Sequence, residues 1–158
     1  MPKSKNTFLF LILLLLISSI LGAYFIEYGL GYKPCKLCLY QRIPYFLSII
    51  LILNILFIKK FSRTTLLILC LVFIGSTILG FYHFGVEQGF FKESFLCKDS
   101  LENLSKDELL KELQKINVNC KDVNFRIFGL SIATINTIFS FCLSAIFIKF
   151  FKNYEKNR

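Results

Sequence analysis

The sequence predicts an all-α membrane protein, an antiparallel four-helix transmembrane bundle forming a single integral membrane domain. Three observations carry that prediction. The 158 residues are 55% hydrophobic with a mean hydropathy of +0.62, beyond the apolar content of ordinary soluble domains. The apolar residues fall into four uncharged blocks rather than being scattered. The charged residues segregate between the segments that link those blocks.

The first block, Phe8–Ile26, has 19 residues, and about 20 apolar residues cross the ~30 Å hydrocarbon core as a helix. Lys3, Lys5, the apolar core and Leu21-Gly22-Ala23 loosely resemble a cleaved secretory signal. The run is long for that, and leucine at the third position before the cut is poor. We therefore read it as a retained span, 8–26. The segment Glu27–Cys38 contains Gly29, Gly31 and Pro34 and reads as a tight irregular loop. The second block, Ile43–Ile58, has 16 residues, only about 24 Å of helix. It should borrow the turn Leu39–Arg42, giving a span of 39–58 with Arg42 at or just inside the hydrocarbon edge. A cation there is costly and is a functional candidate by default. The third block, Thr64–Val86, has 23 residues and the fourth, Ile127–Ile148, has 22, so spans 64–86 and 127–148 reach unaided.

Between the last two lies the only sizeable polar segment, 87–126. Ser105-Lys106-Asp107-Glu108 has the form of a capping box. Leu109, Leu110, Leu113 and Ile116 then share one helical face, with Lys111, Glu112 and Lys115 elsewhere. A short amphipathic helix results, lying on the bilayer surface or packed on the bundle. No repeat, low-complexity tract or second domain is visible.

The net charge of +9 suggests nucleic acid until its distribution is considered. Lys3, Lys5, Lys59, Lys60, Arg63, Lys149, Lys152, Lys156 and Arg158 fall on one face of four crossings, against the single acid Glu155. The other face dilutes ten basic residues with nine acids. By the positive-inside rule both termini are cytoplasmic, and the partner surface is the lipid bilayer, not nucleic acid.

Six cysteines divide by this topology. Cys70 and Cys142 lie inside spans and read as small apolar packing residues. Cys35, Cys38, Cys97 and Cys120 fall on the outside face, where an oxidising compartment favours disulfides. Four cysteines permit three pairings, and the natural one joins Cys35 to Cys38 and Cys97 to Cys120. Cys97–Cys120 has a plain structural reading as a staple closing a long loop. Cys35–Cys38 resists that reading, because a bond across two residues closes almost no loop. A CxxC pair suits thiol exchange instead, since a helix N-terminus and nearby cations lower one thiol's pKa. Lys33, Lys36 and Arg42 supply the cations, and the second helix is expected to begin beside Cys38.

Cys38, Gln41 and Arg42 stand at i, i+3 and i+4 and share one helical face. A thiolate, an amide and a guanidinium converge there, suited to a flat carbonyl-bearing molecule arriving from the membrane. The bland reading of Arg42 is a snorkelling anchor for lipid phosphate. His83 has Glu87 four residues on, on the same face, and reads either as a polar helix end or as a proton handler or ligand. A zinc site is disfavoured, because the second cysteine pair is separated by 22 residues and the compartment is oxidising. No metal is expected.

These residues resemble a known family. Cys35-Lys36-Leu37-Cys38-Leu39-Tyr40-Gln41-Arg42 at the second helix, four spans and a cysteine pair in the second outside loop resemble the bacterial disulfide bond formation protein B family, DsbB. Tyr82-His83 with Gly85-Val86-Glu87-Gln88-Gly89, and Cys120 followed by Phe128-Gly129-Leu130-Ser131, extend the resemblance over nearly the whole chain. It implies an electron relay in the bacterial inner membrane. A reduced periplasmic thioredoxin-like oxidase of the DsbA type would attack the Cys97–Cys120 disulfide at Cys97. Cys120 would resolve the complex or pass the electrons to Cys35–Cys38. Cys38 would hand them to a membrane quinone, ubiquinone or menaquinone, bound near Arg42, with Gln41 and His83 close by. Partners of the DsbA type are strong oxidants at about −120 mV, so the resemblance implies an acceptor able to pull electrons from them. The second loop departs from the family in having few aromatic or proline residues between its cysteines and an unusually charged helix, which bears on partner docking. Two other classes fit parts of the pattern. One is a vitamin K epoxide reductase-like redox protein, whose CxxC however lies at a late helix. The other is a non-catalytic, tetraspanin-like scaffold braced by disulfides.

Overall fold

Four apolar helices, each long enough to cross a bilayer, make up the computed structural model. It describes residues 3–58, 62–92, 120–121, 126–127 and 129–156. Helix α1, Lys3–Tyr24, carries an unbroken run of leucine and isoleucine and passes into one turn of π-helix, Phe25–Gly29. Helix α2, Lys36–Phe57, starts from Cys35 in an extended conformation, and its sulfur accepts the Cys38 backbone N–H at 3.3 Å. That contact satisfies one of the orphan donors of a helix start. Helix α3 covers Ser62–Glu87. Two-residue strands β1 (Arg126–Ile127) and β2 (Leu130–Ser131) pair antiparallel and lead directly into α4, Ile132–Lys156.

The uncharged block beginning at 127 is therefore helical only from Ile132. Gly129 has φ of +82°, a left-handed turn residue that lets the chain reverse between the strands. Ser131 then starts the helix, its Oγ accepting the Thr134 N–H at 3.1 Å. The amphipathic helix expected at 105–116 lies outside the described residues.

The core is a stack of apolar side chains from all four helices. Leu9, Leu16, Ile52, Leu66, Leu69, Phe73 and Phe147 are fully buried. Phe73 and Phe147 stack with ring centres 5.3 Å apart. Phe10, Leu21, Ile50, Leu71, Ile78 and Phe141 point outward, more than half exposed or nearly so. Such outward apolar residues are what lipid requires and what water would penalise. The tightest seam is between α3 and α4, where Gly80 faces Thr137. A Cβ at Gly80 would stand 2.8 Å from Thr137 Oγ1 and 3.2 Å from its Cα, so glycine is what permits the close approach.

Polar side chains inside the bundle either bond their own helix or bridge helices. Ser48, Thr77 and Thr137 each donate to the carbonyl four residues earlier, at 2.7 Å. Ser76 and Ser140 meet across α3 and α4 at 3.0 Å. Near the opposite ends of those helices Arg63 pairs with Glu155. With the chain running up, down, up and down, the start of α2, the end of α3 and the start of α4 meet at one end of the bundle. Cys35, Cys38, Cys120, His83, Gln41 and Arg42 lie toward that end.

Candidate functional site

Cys35, capping α2, is buried at 6% exposure. Its Sγ lies 2.7 Å from Cys38 Sγ, and both cysteines are free thiols. One turn of helix imposes the pairing, since residues i and i+3 sit on the same side. The expectation that α2 begins beside Cys38 misses its start by two residues. The helix begins at Lys36, so its N-terminal dipole and the Cys38 N–H act on Cys35. The Cys35 thiol is accordingly lowered from the ordinary 9.0 to about 5. The hydrogen bond from the Cys38 thiol is the largest cause, burial opposes it, and the His83 ring and the Cys38 N–H add to it.

Helix α3 delivers His83 into the same place. It is 1% exposed, with Nε2 3.5 Å from Cys35 Sγ. Gln41 Nε2 donates to His83 Nδ1 at 3.1 Å, which places the ring proton on Nε2, facing the thiol. Glu87 Oε1 is 3.7 Å from the same Nε2, one helical turn along. Ser131 Oγ donates to the other Glu87 oxygen at 2.5 Å. His83 and Gln41, each ambiguous in isolation, are thus one hydrogen-bonded unit against the dithiol.

Arg42 lies on the same face of α2 but looks toward α1. Its Nη1 meets Glu27 Oε2 at 2.6 Å, with the two side chains 13% and 18% exposed. Its Cζ lies 4.9 Å from the centre of the Tyr24 ring, within cation–π range. Spacing along α2 did not reveal either partner, because both sit on another helix, where the π-helical turn places Glu27. A π-turn is itself a frequent mark of a functional site. Farther into the bundle, the Tyr45 hydroxyl donates to Asn136 Oδ1 at 2.5 Å. No sequence motif pointed to that contact.

Cys120 is 3% exposed and packs in one apolar cluster with Cys35, Leu37 and Val86, with Cys38 against it. It is disulfide-bonded. Cys97 lies outside the described residues. Cys70 is buried inside α3, among the core residues, and Cys142 is exposed on α4.

Apart from Cys70 and Cys142, the described cysteines border one cavity of about 380 Å³, within the range of small-molecule sites. Cys35, Cys38 and Cys120 line it with Gln41, Arg42 and His83, and with Tyr45 and Asn136 farther along the bundle, among apolar residues such as Ile20, Ile26 and Phe139. Cys35, Cys38 and His83 also place three metal-ligand atoms within 4.8 Å of one another. Two thiolates on one zinc at ~2.3 Å bonds stand about 3.8 Å apart in tetrahedral geometry. Sulfurs at 2.7 Å are instead poised to close a disulfide, whose bond is ~2.05 Å.

Comparison with known proteins points the same way. A family model described as disulfide bond formation protein DsbB matches residues 5–150. A Rickettsia prowazekii (strain Madrid E) protein described as uncharacterized is 30% identical over 160 residues, covering 97% of this chain and 92% of its own length.

Proposed function

Because the chain belongs to the DsbB family and is a multi-pass membrane redox enzyme of that family, we propose that it regenerates a periplasmic thioredoxin-like disulfide donor and delivers the electrons to a membrane quinone. One observation carries the reading: three cysteines of the two expected pairs line a single cavity with an arginine, a glutamine and a histidine. In this reading the protein sits in the bacterial inner membrane with both termini cytoplasmic, so that the cavity end faces the periplasm.

The relay balances at each step. The partner's two thiols exchange with the Cys97–Cys120 disulfide, leaving the partner oxidised and Cys97 and Cys120 reduced. Those thiols exchange with a Cys35–Cys38 disulfide, and the electron pair moves to Cys35 and Cys38. Burial of Cys120 beside Cys35 keeps that second exchange short and dry. Reclosing Cys35–Cys38 then releases two electrons and two protons. A bound quinone supplies the sink for both. The cavity fits such a molecule: its walls are largely apolar, and Arg42 brings guanidinium donors beyond the one held by Glu27. Cys38 borders the cavity and is the exit thiol. Cys35, held as thiolate, is the group that closes the bond. Gln41 orients His83, and the His83 Nε2–H stabilises the Cys35 thiolate until it does.

The test uses purified full-length protein in detergent with a quinone and either a reduced thioredoxin-like partner or a small dithiol. Wild type should consume the quinone absorbance with both donors. Cys38→Ser should abolish turnover with either, and Arg42→Ala should slow it. Cys120→Ala should stop the partner-driven reaction while sparing the dithiol-driven one. Quinone reduction surviving in both Cys35→Ala and Cys38→Ala would refute the mechanism.

A further inference from the structure

The two amide atoms of Asn136 are treated unequally. Oδ1 accepts from the Tyr45 hydroxyl at 2.5 Å. That hydroxyl lies 3.4 Å from Ser140 Oγ, and Ser140 lies 3.0 Å from Ser76 Oγ. The amide oxygen is thus tied to a chain of hydroxyls that crosses from α2 to α4 and α3. Nδ2, by contrast, is buried and has no hydrogen-bond partner, alone among the side-chain atoms of the described residues. Asn136 lies in the second turn of α4, inside a membrane span, where bulk water does not repair an unmet donor. A buried donor left unpaired calls for an explanation, and a ligand is one.

Position supplies the ligand's place. Asn136 and Tyr45 line the cavity that Cys38 and Arg42 also line. On α2, Cys38, Arg42 and Tyr45 follow one another at helical spacing, and Tyr45 lies about 10 Å along the axis from Cys38. Asn136, which carries the orphan donor, therefore borders the cavity at an end remote from the dithiol. We infer that Asn136 is a ligand-binding residue whose Nδ2–H donates to the oxygen of a carbonyl-bearing ring at that remote end, with Tyr45 as its positioning residue. The inference rests on the quinone reading above. It adds a second polar anchor, on α4, to the donors that α2 provides.

Binding is measured with the cysteine pairs oxidised, so that turnover does not intervene. The probes are a short-tailed quinone and an alkylbenzene with the same tail but no oxygen, each by equilibrium ultrafiltration in detergent. The thermal midpoint of the ligand-free protein is recorded alongside. Asn136→Leu should weaken quinone binding about tenfold, the weight of one hydrogen bond, while alkylbenzene binding stays unchanged. Its ligand-free midpoint should hold or rise, because the orphan donor is gone and Tyr45 retains Ser140. Asn136→Asp, which keeps an acceptor for Tyr45, should show the same selective loss. Unchanged quinone affinity in both variants would overturn the inference and leave the quinone reading standing. Equal loss for both probes, or a lowered midpoint or lost fold in both variants, would make Asn136 structural and overturn it as well. Failure of the wild type to bind the quinone would bring down the quinone reading itself and this inference with it.

Discussion

Cys35 joins three influences in one sulfur: the cap of α2, the Cys38 thiol and the His83 ring. Its thiol is lowered from 9.0 to about 5. A depressed folded value means that ionised Cys35 stabilises the reduced protein fully above pH 9 and loses that contribution as the pH falls through 5. Thermal unfolding of the reduced protein should thus separate progressively from that of Cys35→Ala between pH 5 and 9. A constant difference across that range would contradict the assignment. Arg42 and Glu27 form the second residue-scale test. Both are mostly buried, so removing one partner strands a charge and costs more than the pair contributes. A cycle of Glu27→Gln, Arg42→Met and the double variant should show a coupling of about 1–3 kcal/mol in unfolding. Additive losses would mean the pair is solvated. The sequence made Cys35, Cys38 and Arg42 legible as candidate site residues, because a CxxC and a cation at a membrane edge are chemically unusual anywhere. Glu27 was not legible as the partner of Arg42, since an acid in a polar loop needs no special explanation.

Helices α3 and α4 pack most closely where Gly80 meets Thr137. In lipid, where apolar surface gains little by leaving its solvent, such close packing is the main source of association. Gly80→Ala should lower stability by about 1–3 kcal/mol, the usual cost of overpacking. Adding Thr137→Ala should rescue it only in part, because Thr137 Cα remains 3.2 Å from the new Cβ. Full rescue would place the clash in the hydroxyl alone. The four spans themselves were readable from uncharged length, a property that sums along the chain. Their ends were less so. Helix α4 yields its first residues to the hairpin at Gly129, and α2 begins before the apolar run, at Lys36. Helix termini answer to capping and turn geometry, to which hydropathy is blind.

Across the whole molecule, charge sets a direction and packing sets a site. In the proposed orientation, with the basic termini inside, an impermeant maleimide should label Lys152→Cys only from the cytoplasm and Gln88→Cys only from the periplasm in intact cells. The reverse pattern would invert the proposed topology and separate the cavity from the proposed periplasmic partner. The sequence by itself determined four apolar crossings, a segregation of basic residues between them, and a CxxC pair with an arginine beside it. Each of those follows from properties that individual residues carry locally. Only the tertiary structure decided that His83 and Gln41 form one unit against Cys35, that Arg42 answers to Glu27, and that Asn136, with its unpaired donor, borders the cavity. Those contacts depend on how far each helix is rotated and slid against its neighbours. Side chains as far apart as Tyr45 and Asn136, separated by 91 residues, settle that rotation together, through packing that no local pattern encodes.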